Sequence, residues 1–125
     1  MPTLPIVLLV DDHEDTLAMY AIGLMAMNFR VVTATTAERA LGLACAHRPD
    51  AIVLDAWLSG SSGSQLALEL RGDTRTRHAG IVMLSGDDHA RAAAMDAGCD
   101  RFILKPCSPG LLALEVGRLL ERSTA

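Results

Sequence analysis

The amino-acid sequence predicts a single doubly wound α/β domain, a (βα)5 fold with a five-stranded parallel sheet. Three observations indicate this fold class. Short apolar runs alternate with longer amphipathic stretches along the 125 residues, as in successive β-α units. The first run, Ile6–Val10, is uninterrupted, as a strand buried on both faces of a parallel sheet requires. Hydrophobic residues make up 50% of the chain but aromatic residues only 3%, so the core must be aliphatic.

The first β-α unit begins with a run of five apolar residues. Residues Ile6–Val10 predict a buried strand, and two acids follow it directly. Apolar residues recur at helical spacing from about Glu14 to Met27, which predicts the first helix. The β-branched stretch Arg30–Ala34 predicts the second strand.

The second helix is predicted from a capping signal. Thr35 stands three residues before Glu38, a spacing typical of a capping box at a helix start. The helix ends near His47, because Pro49 prevents its continuation. The third strand follows at Ala51–Asp55, an apolar run closed by an acid.

The second half of the chain continues the alternation. Residues Ser59–Gly63 are rich in serine and glycine and are interpreted as a loop. A helix is predicted from about Ser64 to Arg71, and the fourth strand at Ile81–Leu84. The fourth helix is predicted from about Asp88 to Ala97, where Gly98 ends it.

The last β-α unit carries the clearest helix start. Residues Arg101–Leu104 predict the fifth strand. Ser108 is suited to the N-cap and Pro109 to the first helical position, so the last helix begins there and runs to about Arg122.

Length, charge and cysteine content narrow the classes of function. Residues 1–125 are expected to form one domain, with its core at about 6–120 and no output domain. The net charge is −4 and the arginines are scattered, so direct nucleic-acid binding is not expected. Three cysteines without paired spacing argue against a disulfide framework or a zinc site. Without a signal peptide or a membrane-spanning apolar run, the chain is expected to be cytoplasmic with no membrane partner.

The residues suited to chemistry follow the predicted strands. Sites in doubly wound sheets form beyond the carboxyl ends of the strands. The residues there are Asp11, Asp12, Asp55, Ser85 and Lys105. Clustered carboxylates need a cation, and oxygen ligands favour Mg²⁺. A carboxylate can be a covalent nucleophile in phosphoryl transfer, and a lysine can neutralise a phosphate oxygen. The set predicts a Mg²⁺-dependent phosphoryl-transfer site.

Five segments of the chain also carry a resemblance to a known family. They are Val7–Asp12, Ile52–Asp55, Met83–Gly86, Ala97–Asp100 and Phe102–Pro106. Together they strongly resemble the receiver domain of bacterial two-component response regulators, over nearly the whole chain. The resemblance implies a flavodoxin-like strand order, 2-1-3-4-5.

The resemblance implies a role for each residue of the predicted site. Asp55 stands at the position of the phosphoacceptor. Asp12 matches the direct metal ligand, and Asp11 matches the acid that reaches the metal through water. The backbone carbonyl of Trp57 would be a further ligand of Mg²⁺, and Lys105 would pair with the phosphoryl group.

The resemblance also implies a conformational switch. Ser85 would donate its hydroxyl to a phosphoryl oxygen, and Phe102 would change rotamer with it. The Lys105–Pro106 peptide bond is expected to be cis. The fourth helix, fifth strand and fifth helix would present the signal to a downstream target or output domain.

The function implied is that of a phosphoacceptor module in a two-component phosphorelay. A histidine kinase or a phosphotransfer protein would supply the phosphoryl group from a phosphohistidine. The domain would catalyse its own phosphorylation and slow autodephosphorylation without being a conventional enzyme.

Two alternative functions stay open. One is a Mg²⁺-dependent phosphohydrolase with an Asp nucleophile, although many such enzymes carry a second acid where this chain has Trp57. The other is a degenerate receiver that acts as a protein-binding scaffold.

The chain departs from the family pattern around the expected acceptor. Ser59 replaces a common proline, and Ser62 rather than an acid precedes Gly63, so this loop is expected to be more mobile than usual. The bulky Trp57 is expected to shield the phosphoryl group from water and to slow self-dephosphorylation. His13 is interpreted as an exposed residue at a helix start.

Overall fold

Strands and helices alternate through the chain in the computed structural model, which describes residues 3–124 and the side chains of residues 3–121. In chain order the elements are β1 (Ile6–Val10), α1 (Glu14–Ala26), β2 (Arg30–Ala34), α2 (Ala37–His47), β3 (Ala51–Asp55), β4 (Trp57–Leu58), β5 (Ser61–Ser62), α3 (Gly63–Gly72), β6 (Gly80–Ser85), a 3-10 turn (Asp88–Ala90), α4 (Arg91–Asp96), β7 (Arg101–Leu104) and α5 (Pro109–Thr124). None of the described helices is both long enough and apolar enough to cross a membrane.

The predicted fold class and strand order are confirmed. The five main strands form one parallel sheet in the order β2-β1-β3-β6-β7. This is the expected order 2-1-3-4-5, because β4 and β5 form a separate hairpin. The register places Val10 beside Leu54 and Asp55 beside Leu84. The carboxyl ends of β1, β3 and β6 therefore lie side by side.

Aliphatic side chains cover both faces of the sheet. On β3, Ile52 and Leu54 belong to the core layer that includes residues of α2, α3 and α4. Ala51 and Val53 point the other way, into the layer formed with α1 and α5. All four are buried, which explains why the strand is apolar at every position. Burying each larger side chain contributes about 1.5–3 kcal/mol.

The stretch predicted as a loop at Ser59–Gly63 includes the turn and the second strand of a short β-hairpin. Strands β4 and β5 pair antiparallel, with Leu58 opposite Ser61. Leu58 is buried and fixes the hairpin to the core, while Gly60 makes the turn with φ of +74°. Serine and glycine do not favour strands, so the stretch Ser59–Gly63 carries no strand signal of its own.

The starts of α2 and of the fourth helix differ from the sequence predictions, whereas the start of α5 agrees. The cap of α2 is Thr36 rather than Thr35, and its hydroxyl accepts a backbone N–H at 3.2 Å. The predicted fourth helix begins as the 3-10 turn and continues as α4. At α5, the hydroxyl of Ser108 accepts the backbone N–H of Leu111 at 3.1 Å, as the N-cap prediction requires.

One arginine links three segments at the amino-terminal edge of the sheet. Arg71, near the end of α3, donates from Nε to the Gly98 carbonyl oxygen at 2.9 Å. Its Nη1 donates to the carbonyl oxygens of Arg77 and Ala79 at 2.7 and 2.6 Å. Its Nη2 lies 2.8 Å from Asp100 Oδ2, which also accepts a backbone N–H of β6. We call this set of contacts the Arg71 anchor.

Candidate functional site

Two acids follow β1 at the carboxyl edge of the sheet. Asp11 is 5% exposed, and its Oδ1 accepts the backbone N–H of His13 at 2.9 Å. The Nδ1 atom of His13 lies 3.2 Å from the same oxygen. Asp12 Oδ2 accepts the hydroxyl of Ser59 at 2.9 Å. The ligand atoms of Asp11, Asp12 and His13 all lie within 4.8 Å of one another, close enough to share one ion.

Asp55 ends β3 and faces Lys105, which follows β7. Lys105 Nζ lies 3.5 Å from Asp55 Oδ1 and 3.7 Å from Asp11 Oδ2. Burial raises the pKa of Asp55; Lys105 opposes this rise, and the Asp11 carboxylate adds to it. The net direction is upward, because the cost of burying the charged carboxylate exceeds the stabilisation that Lys105 provides.

The donor atoms of this pocket fit a hard cation. Asp12 Oδ1 is buried and has no hydrogen-bond partner among the described residues, although the His13 ring nitrogen lies 3.0 Å away. A buried carboxylate oxygen is costly unless a hydrogen bond or a cation compensates it. Carboxylate oxygens are also the ligands that hard divalent ions prefer. The acidic pocket is therefore suited to metal binding.

Ser85 ends β6, and its hydroxyl bonds the loop that follows. Ser85 Oγ donates to the Asp87 carbonyl oxygen at 3.1 Å and accepts the Asp87 backbone N–H at 3.0 Å. The backbone N–H of Lys105 donates to the Ser85 carbonyl oxygen at 2.7 Å. The Lys105–Pro106 bond is cis, the geometry that the resemblance implies. Ser85 and Lys105 thus occupy neighbouring strand ends.

Phe102 lies on β7 and contacts α4 through an arginine. Arg91 Cζ lies 4.6 Å from the centre of the Phe102 ring, a cation–π arrangement. Arg91 also forms an ion pair with Asp88 at 3.0 Å. Asp88 directly follows Asp87, the partner of Ser85. A short path of bonds and contacts therefore connects the two expected switch residues.

Two polar contacts of the pocket were not predicted from the sequence. His13 is exposed, as interpreted, but its ring also faces both acids. The sequence predicts that Ser59 lies in a mobile loop, yet its hydroxyl donates a hydrogen bond to Asp12. An imidazole directly after an acid pair is a weak signal for such a contact. Ser59 lies 47 residues from Asp12, so only the folded chain brings them together.

Comparison with known proteins identifies the family. The sequence model of the response regulator receiver domain family matches residues 7–116. The chain is 31% identical over 119 residues to the phosphate regulon transcriptional regulatory protein PhoB of Pseudomonas aeruginosa, covering 94% of this chain and 52% of that protein. It is 35% identical over 120 residues to the transcriptional regulatory protein PrrA of Mycobacterium tuberculosis, with 96% and 52% covered. The chain spans about half the length of these curated relatives.

Solved structures agree with this assignment. A putative response regulator from Chloroflexus aurantiacus has a TM-score of 0.90 at 30% identity, covering 96% of this chain and 100% of that chain. The chemotaxis response regulator CheY4 of Vibrio cholerae shares the fold, with a TM-score of 0.87 at 24% identity and with 94% and 99% covered. Since the family match extends over most of the described residues, the chain belongs to the response regulator receiver domain family.

Proposed function

We propose that Asp55 accepts a phosphoryl group from a phosphohistidine of a histidine kinase or a phosphotransfer protein. The P–N bond to the donor imidazole breaks, a P–O bond to a carboxylate oxygen of Asp55 forms, and the imidazole leaves. The observation that carries this proposal is the placement of Lys105 Nζ within 3.7 Å of both the Asp55 and the Asp11 carboxylates. In this role Lys105 neutralises a phosphoryl oxygen in the product.

Mg²⁺ is the proposed cofactor, held by the carboxylates of Asp12 and Asp55, by Asp11 through water, and by the backbone carbonyl of Trp57. When bound, it supplies positive charge to the transferring phosphoryl oxygens. Two observations support this assignment: Asp12 Oδ1 is buried without a hydrogen-bond partner among the described residues, and the Asp11 and Asp12 carboxylates lie close enough to share one ion.

Ser85 and Phe102 are the proposed switch. The Ser85 hydroxyl has one proton, which it donates to the Asp87 carbonyl oxygen. To donate to a phosphoryl oxygen, Ser85 must release that carbonyl. The release loosens the loop before Asp88, whose partner Arg91 stacks on Phe102. The face formed by α4, β7 and α5 then presents the altered surface to a downstream target or output domain.

We also propose that residues 1–125 act as one receiver domain in the cytoplasm, and that the domain itself contacts neither nucleic acid nor membrane. Its catalysis is limited to its own phosphorylation and slow autodephosphorylation.

Intact-mass measurement tests the proposed function. Incubation of the chain with acetyl phosphate and Mg²⁺ should add the mass of one phosphoryl group, because a small acyl phosphate can replace the phosphohistidine donor. The same incubation with excess EDTA should add nothing. No mass gain with Mg²⁺ would instead favour the protein-binding scaffold, and sustained turnover of small phosphate esters would favour the phosphohydrolase.

Trp57 is expected to lengthen the lifetime of the phosphorylated state. It lies two residues after Asp55 at the base of the hairpin, where its large ring can exclude water from the phosphoryl group. We expect Trp57→Asn to lose its phosphoryl group severalfold faster, because asparagine is small and can bind water. Mass spectra taken at intervals after removal of acetyl phosphate give the rate. Trp57→Phe is the control that keeps an aromatic ring, and an unchanged rate in Trp57→Asn would exclude the shielding role.

A further inference from the structure

Ser59 connects the β4–β5 hairpin directly to the acid pair. It lies at the tip of the hairpin, and its hydroxyl donates to Asp12 Oδ2 at 2.9 Å. The second residue of the tip, Gly60, has φ of +74°, a conformation that favours glycine. Backbone pairing of Leu58 with Ser61 closes the turn. The tip is therefore held both by its own backbone and by this side-chain bond.

The bond fixes one oxygen of Asp12 and leaves the other one for a ligand. Oδ2 is occupied by the Ser59 hydroxyl. Oδ1 is buried and has no hydrogen-bond partner among the described residues. It lies 3.0 Å from the His13 ring nitrogen, which also lies 3.2 Å from Asp11 Oδ1. Ser59 therefore fixes the orientation of the Asp12 carboxylate, with Oδ2 at the hairpin and Oδ1 beside the His13 ring that also faces Asp11.

The bond between Ser59 and Asp12 has a second consequence, which concerns the position of the hairpin. Its base carries Trp57, whose backbone carbonyl is a proposed cation ligand, and its tip carries Ser59. The bond to Asp12 thus ties two proposed ligands together, although they come from different parts of the chain. A proline at position 59, common in the family that the chain resembles, has no side-chain donor and would leave the Asp12 carboxylate without this bond.

We propose that Ser59 is a positioning residue of the divalent-cation site: its hydroxyl orients Asp12 and holds the hairpin against the acid pair. This inference rests on the proposed function, because it takes Asp12 and the Trp57 carbonyl as cation ligands. Groups that hydrogen-bond a metal-ligating side chain typically change metal affinity by about 10–100-fold when they are removed.

Titration with MgCl₂ tests this role in the full chain. Trp57 is the only tryptophan, so its fluorescence reports binding next to its carbonyl. We expect the dissociation constant of Ser59→Ala to be about tenfold higher than that of the wild type. Ser59→Thr keeps the hydroxyl and should restore wild-type affinity. Ser61→Ala is the matched control: Ser61 belongs to the same hairpin but does not bond Asp12, so its affinity should be unchanged.

Phosphorylation kinetics separate positioning from a general structural effect. With acetyl phosphate, Ser59→Ala should need more Mg²⁺ for its half-maximal rate, but at saturating Mg²⁺ it should approach the wild-type rate. Equal dissociation constants for Ser59→Ala and wild type would overturn the inference, and so would a Ser59→Thr variant as weak as Ser59→Ala. A wild-type chain that shows no saturable binding of Mg²⁺, by fluorescence and by calorimetry, would reject the proposed cation site itself.

Discussion

Asp55→Asn is expected to gain no mass on incubation with acetyl phosphate and Mg²⁺, whereas the wild type gains one phosphoryl group. The amide has nearly the shape of the carboxylate but lacks the nucleophilic oxygen, so no acyl phosphate forms. Intact-mass spectra of both proteins after the same incubation check this result. Asp96→Asn, a substitution of an exposed acid on α4, is the control and should accept the group like the wild type. A mass gain in Asp55→Asn would place the acceptor elsewhere.

The same variant should make the folded chain more stable at neutral pH. Burial raises the pKa of Asp55 above its ordinary value of 3.8, so the pocket disfavours the ionised form. A group with a raised pKa stabilises the fold fully below its unfolded-state pKa, and this contribution is lost as pH rises through the folded-state value. At pH 7 the ionised Asp55 therefore lowers stability, and asparagine removes that effect.

Urea unfolding in EDTA measures this difference. The midpoint of Asp55→Asn should lie above that of the wild type at pH 7, and the two midpoints should converge as the pH falls toward 4 and Asp55 becomes protonated. A lower midpoint at pH 7 would show that the contact with Lys105 outweighs the cost of burial.

Arg71→Met is expected to lower the free energy of unfolding by about 3 kcal/mol. Methionine keeps much of the apolar length of the side chain but removes every bond of the Arg71 anchor. Three carbonyl oxygens lose a charged donor, and Asp100 loses its ion pair. Arg71→Lys should lose most of the same energy, because one ammonium group cannot reach four acceptors spread over the two segments that precede β6 and β7.

Equilibrium unfolding in urea, followed by circular dichroism, checks this prediction. Arg118→Met is the matched control, because Arg118 is largely exposed and its pair with Glu115 lies on the helix surface. That change should cost about 0.5 kcal/mol or less. Equal unfolding midpoints for Arg71→Met and Arg118→Met would mean that the anchor contributes little.

The sequence predicts the central strands well because burial on both faces makes β1, β3 and β6 apolar at nearly every position. The run Ile6–Val10 is apolar at every position, and the structure places a strand with the same bounds there. The positions of Asp11, Asp12 and Asp55 were predictable for a related reason: each acid stands where an apolar run ends, at the carboxyl edge of the sheet. The approach of Asp11 and Asp55 to Lys105 was predictable once the strands were known to be parallel.

Other features depend on contacts that no local pattern encodes. The hairpin at β4 and β5 forms because Leu58 is buried, although its serines and glycine do not favour strands. The cap of α2 falls on Thr36, and the neighbouring Thr35 offers an equally suitable hydroxyl. Arg71 looks like an ordinary surface residue at a helix end, and only the folded chain gathers its four acceptors.

The Arg71 anchor and the acidic pocket lie at opposite edges of one sheet. The partners of Arg71 precede β6 and β7, whereas Ser85 ends β6 and Lys105 follows β7. The two strands are thus clamped at one end, and mutual repulsion among acids is concentrated at the other. A substitution in the pocket therefore removes none of the contacts of the Arg71 anchor, and a substitution of Arg71 removes none of the contacts of Lys105 with the acids.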